Sequence, residues 1–272
     1  MSLFALFVLL SIGLMVGLIM GLTGAGGGML AVPALVYSQG WTMQQATPVA
    51  LLAVSIGAMI GAIDGLRRGQ VRYKAATLMA VAGAPMTALG VLLAQQMSQR
   101  GLMLAFSLVL MLVVTRLILQ VRADARAALS AAVKNEALAM VNQQTGRFDW
   151  SWSTAAIIGL IGACAGFATG LLGVGGGFII VPLLRHFTNL TIQSAAATSL
   201  MVIALVGAVG VGSAVLHGVE LPIVFSLWFA AASIAGVLIG RRLANFLDPK
   251  TVQLIFATML SGVALSFLLK AV

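Results

Sequence analysis

The chain has 272 residues, of which 61% are hydrophobic and only 8% are charged. Soluble domains are about 45–50% apolar and about 25% charged, so this chain has too few polar side chains to cover a surface in water. The net charge of +9 does not indicate nucleic-acid binding, because the basic residues lie between apolar segments, as is typical of cytoplasmic loops. We therefore expect an integral membrane protein that spans the lipid bilayer.

Apolar stretches of about 20 residues, the length that crosses about 30 Å of hydrocarbon, recur along the chain. We predict eight long transmembrane helices, at residues 3–22, 46–63, 75–95, 101–121, 153–172, 194–216, 222–240 and 251–270. Two shorter apolar pieces, Met29–Tyr37 and Phe178–Leu184, follow the first and fifth of these helices, each after a glycine cluster. The pieces are predicted to be half-helices, so the predicted fold class is an all-α polytopic membrane protein.

The polar linkers predict the orientation of the chain, because Lys and Arg concentrate in cytoplasmic loops. Linker 38–45 carries no charge, and linker 217–221 carries only one acidic residue. We therefore expect the N-terminus to lie outside, and we place three basic linkers in the cytoplasm: residues 64–74, 122–152 and 241–250.

The second half of the chain repeats the first. Residues 21–35 read GLTGAGGGMLAVPAL and residues 170–184 read GLLGVGGGFIIVPLL, so they share a glycine triplet and a Val-Pro pair at an offset of 149. The loop after the third element is basic in the first copy and poor in cations in the second, which indicates opposite topologies. An inverted repeat is typical of transporters, whose substrate site lies near the membrane midplane at discontinuous helices. We predict transmembrane repeat 1 at residues 1–121, a cytoplasmic linker at 122–152 and inverted repeat 2 at 153–272.

The two glycine clusters form the predicted substrate site. Glycine destabilises helices, so we expect both helices to unwind there and to form two hairpins whose tips lie close together near the membrane centre. Each half-helix begins after its glycine run, and its first N–H groups have no helical partner, which favours the binding of an anion. Nearby hydroxyl groups add hydrogen-bond donors. The candidate substrate-binding residues are Thr23, Gly24, Gly26, Gly27, Gly28, Thr47, Gly173, Gly175, Gly176, Gly177, Thr198 and Ser199.

These features also have simpler explanations. Scattered glycines such as Gly57, Gly61, Gly207 and Gly236 are typical of close helix packing, and hydroxyl groups in membrane helices often bond to their own helix. Three consecutive glycines serve packing poorly, and they occur twice at matched positions. We therefore interpret the triplets as functional and the scattered glycines as packing residues.

Ionisable residues are almost absent from the predicted spans. Asp64 and Glu220 lie at span ends, and the lack of a carboxylate in the middle of any span argues against a cation carrier or a carboxylate-based proton antiporter. Arg116 is expected to extend its guanidinium to the membrane surface. The sequence shows no nucleophile with a base, no paired carboxylates and no His/Cys cluster, so we predict no enzyme activity, no metal site and no cofactor.

The two glycine-rich motifs, with Ala197-Thr198-Ser199-Leu200 after the second, resemble the TauE/SafE family of sulfite and organosulfonate exporters. The resemblance covers essentially the whole chain and implies a permease of the bacterial inner (plasma) membrane that moves small sulfur-containing anions. The family's glycine-rich motifs fall on Gly24–Gly28 and Gly173–Gly177, and its Thr-Ser pair falls on Thr198 and Ser199. The first copy departs from this pattern, since it has Thr47-Pro48 where the second has Thr-Ser.

Our hypothesis is a secondary transporter, an exporter of small anions such as sulfite or organosulfonates, that works by alternating access at the midplane site. Two alternatives stay open: an anion channel of the same fold, and a membrane scaffold or partner subunit that transports nothing. The expected partners are a small anion of the sulfite or sulfonate class and the lipid bilayer, without nucleic acid. The sequence leaves open a second copy of the chain in a homodimer.

Overall fold

The computed structural model describes residues 3–23, 27–127, 151–188, 190–219, 221–244, 246–247 and 249–271. Within these residues, eight helices are long and apolar enough to cross a membrane, which confirms the all-α polytopic fold class. In chain order, the helices are α1 (Leu3–Thr23), α2 (Ala31–Gln39), α3 (Met43–Arg67), α4 (Tyr73–Gln96), α5 (Gln99–Ala127), α6 (Trp152–Leu172), α7 (Gly177–Phe187), α8 (Ile192–Leu216), α9 (Ile223–Leu243) and α10 (Pro249–Ala271). The two predicted half-helices correspond to α2 and α7.

Matching threonine caps start the two central helices, α3 and α8. The Thr42 hydroxyl accepts a hydrogen bond from the Gln45 N–H, and the Gln45 side chain accepts one from the Thr42 N–H, which together form a capping box. Thr191 caps α8 in the same way by accepting from the Ser194 N–H at 3.2 Å. Both helices therefore begin before the predicted spans, and α3 also continues past its predicted end to Arg67.

Several charged residues that we assigned to loops lie in helices. Asp64 is part of α3, and Arg241 and Arg242 are part of α9. Helix α5 likewise continues to Ala127, past the predicted start of the cytoplasmic linker at residue 122. The rest of that linker, residues 128–150, lies outside the described residues.

The two halves of the chain pack crosswise against each other. Helix α1 packs along α9. Its counterpart in the second half, α6, packs along α4. Helices α3 and α8 pack together at the centre, and α5 packs against α10. Exchange of the halves leaves this set of pairs unchanged, as expected when two related halves pack about a two-fold axis.

Glycine allows these helix pairs to approach closely. A Cβ atom at Gly236 in α9 would lie 2.2 Å from the Leu14 carbonyl oxygen in α1, and one at Gly207 in α8 would lie 2.0 Å from Ser55 Oγ in α3. The backbone of α1 leaves no room for a side chain at Gly236, and Gly207 lies directly against the Ser55 side chain. Both positions are contacts of the kind that small residues commonly make in membrane helices.

Residues from the basic and the uncharged linkers lie at opposite ends of the bundle. At one end, Arg241 at the end of α9 reaches the end of α3, and the Arg72 N–H donates to Thr198 near the start of α8 at 3.0 Å. At the other end, the Trp41 ring contacts Phe225 near the start of α9, with ring centroids 4.7 Å apart. The assignment of the basic end to the cytoplasm stays a prediction.

Candidate functional site

The second glycine cluster interrupts the helix as predicted. Helix α6 ends at Leu172 and α7 begins at Gly177. Between them, Gly173, Gly175 and Gly176 have φ angles of 74°, 78° and 64°, a left-handed conformation that glycine adopts at little cost. The four intervening residues are buried, so non-helical backbone lies inside the protein, where it is tolerated at membrane depth.

The first glycine cluster lies after the end of α1 at Thr23. Candidate residues Gly24 and Gly26 lie outside the described residues, and the chain continues as a 3-10 turn at Gly27–Leu30 before α2. The Thr23 hydroxyl donates to the Ile19 carbonyl at 2.8 Å and accepts from the Gly27 N–H at 3.1 Å. A Cβ atom at Gly27 would lie 2.2 Å from the Met20 nitrogen, so the chain folds back directly onto α1.

The two breaks meet in the middle of the bundle. A Cβ atom at Gly28 would lie 2.9 Å from the Val174 carbonyl oxygen, which shows that the backbones of the two breaks are in contact. Val54 lies between them, 3.1 Å from the Cβ positions of both Gly28 and Gly175. Because Val54 is near the middle of α3, the breaks lie at mid-length of this long helix, where the hairpin tips were expected.

The four candidate hydroxyl groups differ in their surroundings. Thr23 and Thr198 each accept a backbone hydrogen bond, so both have structural partners. The Thr47 methyl group packs on the second break, 2.7 Å from the Cβ position of Gly173. Ser199 is fully buried, and its hydroxyl has no hydrogen-bond partner among the described residues. Only Ser199 therefore combines burial with an unused hydrogen-bonding group.

Two cavities approach the breaks from opposite ends of the bundle. The first has a volume of about 600 Å³ and opens at the basic end between α1, α3, α8 and α9; we call it the large cavity. The second has a volume of about 20 Å³ and lies at the other end between α3, α4, α6 and α8; we call it the small cavity. Many lining residues are repeat counterparts at an offset of 149, namely Gly21 with Gly170, Gln193 with Gln44, Leu200 with Leu51, and Gly61 with Gly210.

The cavities stop close to the breaks. The large cavity is lined by Gly21, three residues before Gly24, and the small cavity by Gly170, three residues before Gly173. Thr47, which packs on the second break, also lines the small cavity. The meeting point of the breaks thus separates two related cavities of very different volume.

The walls of the cavities differ in charge. The large cavity is lined by four arginines and one aspartate, namely Asp64, Arg67, Arg68, Arg241 and Arg242. No ionisable residue lines the small cavity in the part of the chain that the structure describes. Asp64 accepts from Arg241 at 2.8 Å and from Arg68 at 3.1 Å. Sequence reasoning missed this cluster, although the apolar pattern of α3 continues on both sides of Asp64 and could have placed it inside the helix.

Among the described residues, no other ionisable side chain lines either cavity. Arg116 is on an exposed face of α5 and lines neither of them. In the part of the chain that the structure describes, no group of three or more His, Cys, Asp or Glu is arranged to hold a metal ion.

Comparisons with known proteins identify relatives along most of the chain. The profile of the family described as "Sulfite exporter TauE/SafE" matches residues 9–267. A "Probable membrane transporter protein" of Xylella fastidiosa (strain Temecula1) is 32% identical over 208 residues, which cover 76% of this chain and 73% of the relative. The "Probable membrane transporter protein YunE" of Bacillus subtilis is 24% identical over 266 residues, 93% of each chain. No solved structure matches the chain.

Proposed function

Because the chain belongs to the TauE/SafE sulfite exporter family and is a multi-pass membrane transporter rather than an enzyme, we propose that it is a secondary transporter that exports small anions of the sulfite or organosulfonate class. Its membrane is the bacterial inner (plasma) membrane, with the N-terminus outside and the basic end of the bundle in the cytoplasm, since Lys and Arg concentrate in cytoplasmic loops.

The observation that carries the proposal is the meeting of the two glycine breaks at mid-length of α3. Helix α7 begins there at Gly177. The Ile179 and Ile180 N–H groups donate to the Gly176 carbonyl at 3.0 and 3.1 Å, so the N–H groups of Gly177 and Phe178 are the ones that precede the helical hydrogen bonds. A small oxyanion accepts hydrogen bonds from such groups and is attracted by the positive end of the helix dipole. Glycine has no side chain to cover these N–H groups, although neighbouring residues of α3, α6 and α8 bury the break in this conformation.

The residues of both breaks therefore form the proposed binding site. Thr47 flanks it by packing on Gly173. Ser199 lies about one helical turn before Ile203, which contacts the Cβ position of Gly175, and its buried hydroxyl has no partner among the described residues. Thr23 shapes the first break through its hydrogen bond to Gly27, whereas Thr198 accepts the Arg72 N–H at the basic end of the bundle.

Alternating access is supported by the unequal volumes of the two cavities, about 600 Å³ against about 20 Å³. The cavities are built from counterpart residues of the two halves. If the two halves exchanged conformations, the large cavity would close and the small cavity would open, while the breaks between them stayed in place. A substrate bound at the breaks would thereby change the side to which it is exposed.

The test is exchange of radiolabelled sulfite into proteoliposomes that contain unlabelled sulfite, with and without a pH gradient. A carrier gives saturable uptake that internal sulfite accelerates, and an effect of the gradient would identify proton coupling. Uptake without this acceleration indicates an anion channel. Lack of both uptake and binding, for sulfite and for organosulfonates, would contradict the proposal and favour the scaffold alternative.

A further inference from the structure

The wall of the large cavity holds an ion pair that the proposed midplane site does not use. Arg241 of α9 donates from Nη2 to the Asp64 carboxylate of α3 at 2.8 Å, and from Nη1 to the Gly61 carbonyl at 3.4 Å. Asp64 also accepts from Arg68 Nε. The side chains of Arg241 and Asp64 keep 30% and 35% of their surface exposed, so both remain accessible from the cavity.

Arg241 lies further along the cavity towards the breaks than the other arginines. Its backbone nitrogen is 2.9 Å from the Cβ position of Gly21, just before the first break. Its guanidinium contacts the Gly61 carbonyl, which is about one helical turn nearer to the middle of α3 than Asp64. Arg67 and Arg68, by contrast, belong to the end of α3. An anion that moves from the basic end towards the breaks therefore meets Arg241 last.

The fold of the repeat does not require this ion pair. The counterparts of Asp64 and Arg241 in the other half are Ser213 and Val91, at offsets of 149 and 150. Among the described residues, none that lines the small cavity, which has Val91 in its wall, is ionisable. Partly exposed ion pairs also contribute little to stability. Neither symmetry nor stability explains why one of the two related cavities carries the pair.

We infer that Arg241 is a substrate-binding residue in the large cavity, where it binds a small oxyanion before the anion reaches the glycine breaks. The Asp64 carboxylate competes with the anion for the Arg241 guanidinium. The inference rests on the proposed function and adds a second, earlier binding position to it. A guanidinium binds two oxygens of one oxyanion in a fork geometry, which sulfite and sulfonate groups both provide. When the anion takes Arg241, Asp64 keeps its contact with Arg68.

Competition predicts opposite effects of two substitutions. Asp64→Asn removes the negative charge that occupies Arg241, so sulfite binds more tightly. Arg241→Gln removes the fork, so sulfite binds more weakly. In the double variant, Asp64→Asn no longer raises the affinity for sulfite, because its effect acts through Arg241. A general change in cavity charge would raise the affinity whether or not Arg241 is present, so the double variant separates the two explanations.

The experiment is equilibrium binding of radiolabelled sulfite to the purified full chain in detergent, alongside exchange in proteoliposomes. We expect the dissociation constant to rise about tenfold in Arg241→Gln, because charge-assisted hydrogen bonds to the anion are lost. It should fall about threefold to tenfold in Asp64→Asn, because the Arg241 guanidinium is freed from the carboxylate. Arg100→Gln is the matched control, since Arg100 is exposed at the start of α5 and lines neither cavity; its dissociation constant should equal that of the wild type.

Unchanged binding in both single variants, while the wild type binds and exchanges sulfite, overturns the inference and leaves the proposed function standing. A gain from Asp64→Asn that persists in the double variant also overturns it. If Arg241→Gln fails to fold, Arg241→Lys replaces it in the single and the double variant, because lysine keeps the charge without the fork geometry. If the wild type itself neither binds nor exchanges sulfite, the proposed function fails for this anion and the inference fails with it.

Discussion

At the scale of single residues, the Thr23 hydroxyl connects the two sides of the first break. It donates to the Ile19 carbonyl in α1 and accepts from the Gly27 N–H beyond the break. The Gly27 N–H therefore stays hydrogen-bonded where the chain leaves the helix. Without this acceptor it would be an unpaired polar group inside the protein, which costs free energy of folding. A residue that we proposed as a ligand also stabilises the geometry of the break.

Substitution Thr23→Val should destabilise the protein by about 1 kcal/mol, because the Gly27 N–H loses its acceptor. The measurement is the midpoint of thermal unfolding in detergent. Thr23→Ser keeps the hydroxyl and should unfold at the wild-type temperature. Equal unfolding midpoints for wild type and Thr23→Val would show that this hydrogen bond does not contribute to the stability of the protein.

Gly28 is the residue at which the two breaks touch. In Gly28→Ala, the added methyl group would lie 2.9 Å from the Val174 carbonyl oxygen, so the two backbones must separate. We expect sulfite exchange to fall about tenfold, which corresponds to a loss of about 1.4 kcal/mol, while the protein still inserts into the membrane.

The control for Gly28 is Gly212→Ala in α8, because no atom lies within 4 Å of the Cβ position of Gly212. This variant should exchange sulfite at the wild-type rate. If Gly28→Ala exchanged as fast as Gly212→Ala, close contact between the breaks would not matter for transport.

At the scale of helices, matched glycines determine how the halves pair. Gly13, Gly17 and Gly21 in α1 have counterparts in α6 at an offset of 149. A Cβ atom at Gly17 would lie 1.9 Å from the Ser233 carbonyl oxygen in α9, and one at Gly166 would lie 2.3 Å from the Gly83 carbonyl oxygen in α4. Spacing of four residues places small residues on one helix face, where backbones approach closely.

Substitution Gly166→Leu should therefore force α6 away from α4 and reduce the amount of folded, monodisperse protein, measured by size-exclusion chromatography after solubilisation. The matched control is Gly159→Leu in the same helix, since the Cβ position of Gly159 has no atom within 4 Å and a side chain there meets open space. Similar yields of the two variants would contradict the role of Gly166 in helix pairing.

Helix ends were harder to predict than helix centres. A change to polar residues marks the end of an apolar span, but Asp64 and Arg241 extend α3 and α9 beyond that point. The two side chains meet across the helix pair at 2.8 Å, a contact between residues far apart in the chain. Hydropathy reports each segment by itself and contains no information on such a contact.

At the scale of the whole molecule, the crosswise pairing of the halves builds two related cavities, and their different volumes describe one conformation of the transporter. Leu200 lines the large cavity and Leu51, its counterpart, lines the small one. Because both residues are leucines, the same substitution at each position allows the accessibility of the two cavities to be compared.

Single cysteines at these two positions should react at different rates with a membrane-impermeant anionic thiol reagent. The background carries Cys164→Ser, because Cys164 is exposed and the chain has no other cysteine. We expect Leu200→Cys to react about tenfold faster than Leu51→Cys in detergent without substrate, since a closed cavity excludes the reagent.

Sulfite should change the two reaction rates in opposite directions if the halves exchange conformations during transport. The Cys164→Ser background without a new cysteine is the control for reaction elsewhere. Equal rates at both positions, with no response to sulfite, would contradict alternating access and favour an open channel.

The membrane class, the all-α fold, the two half-helices and the glycine breaks were predictable from the amino-acid sequence, because composition, span length and local backbone preference are properties of short segments. The duplicated motif also indicated which residues belong together. Three contacts became visible only in the folded chain: Gly28 meets Val174, Thr23 and Thr198 accept backbone hydrogen bonds, and Asp64 and Arg241 share the large cavity. Such contacts depend on how distant helices pack, and the difference between the two cavities depends on the conformation in which both halves come to rest.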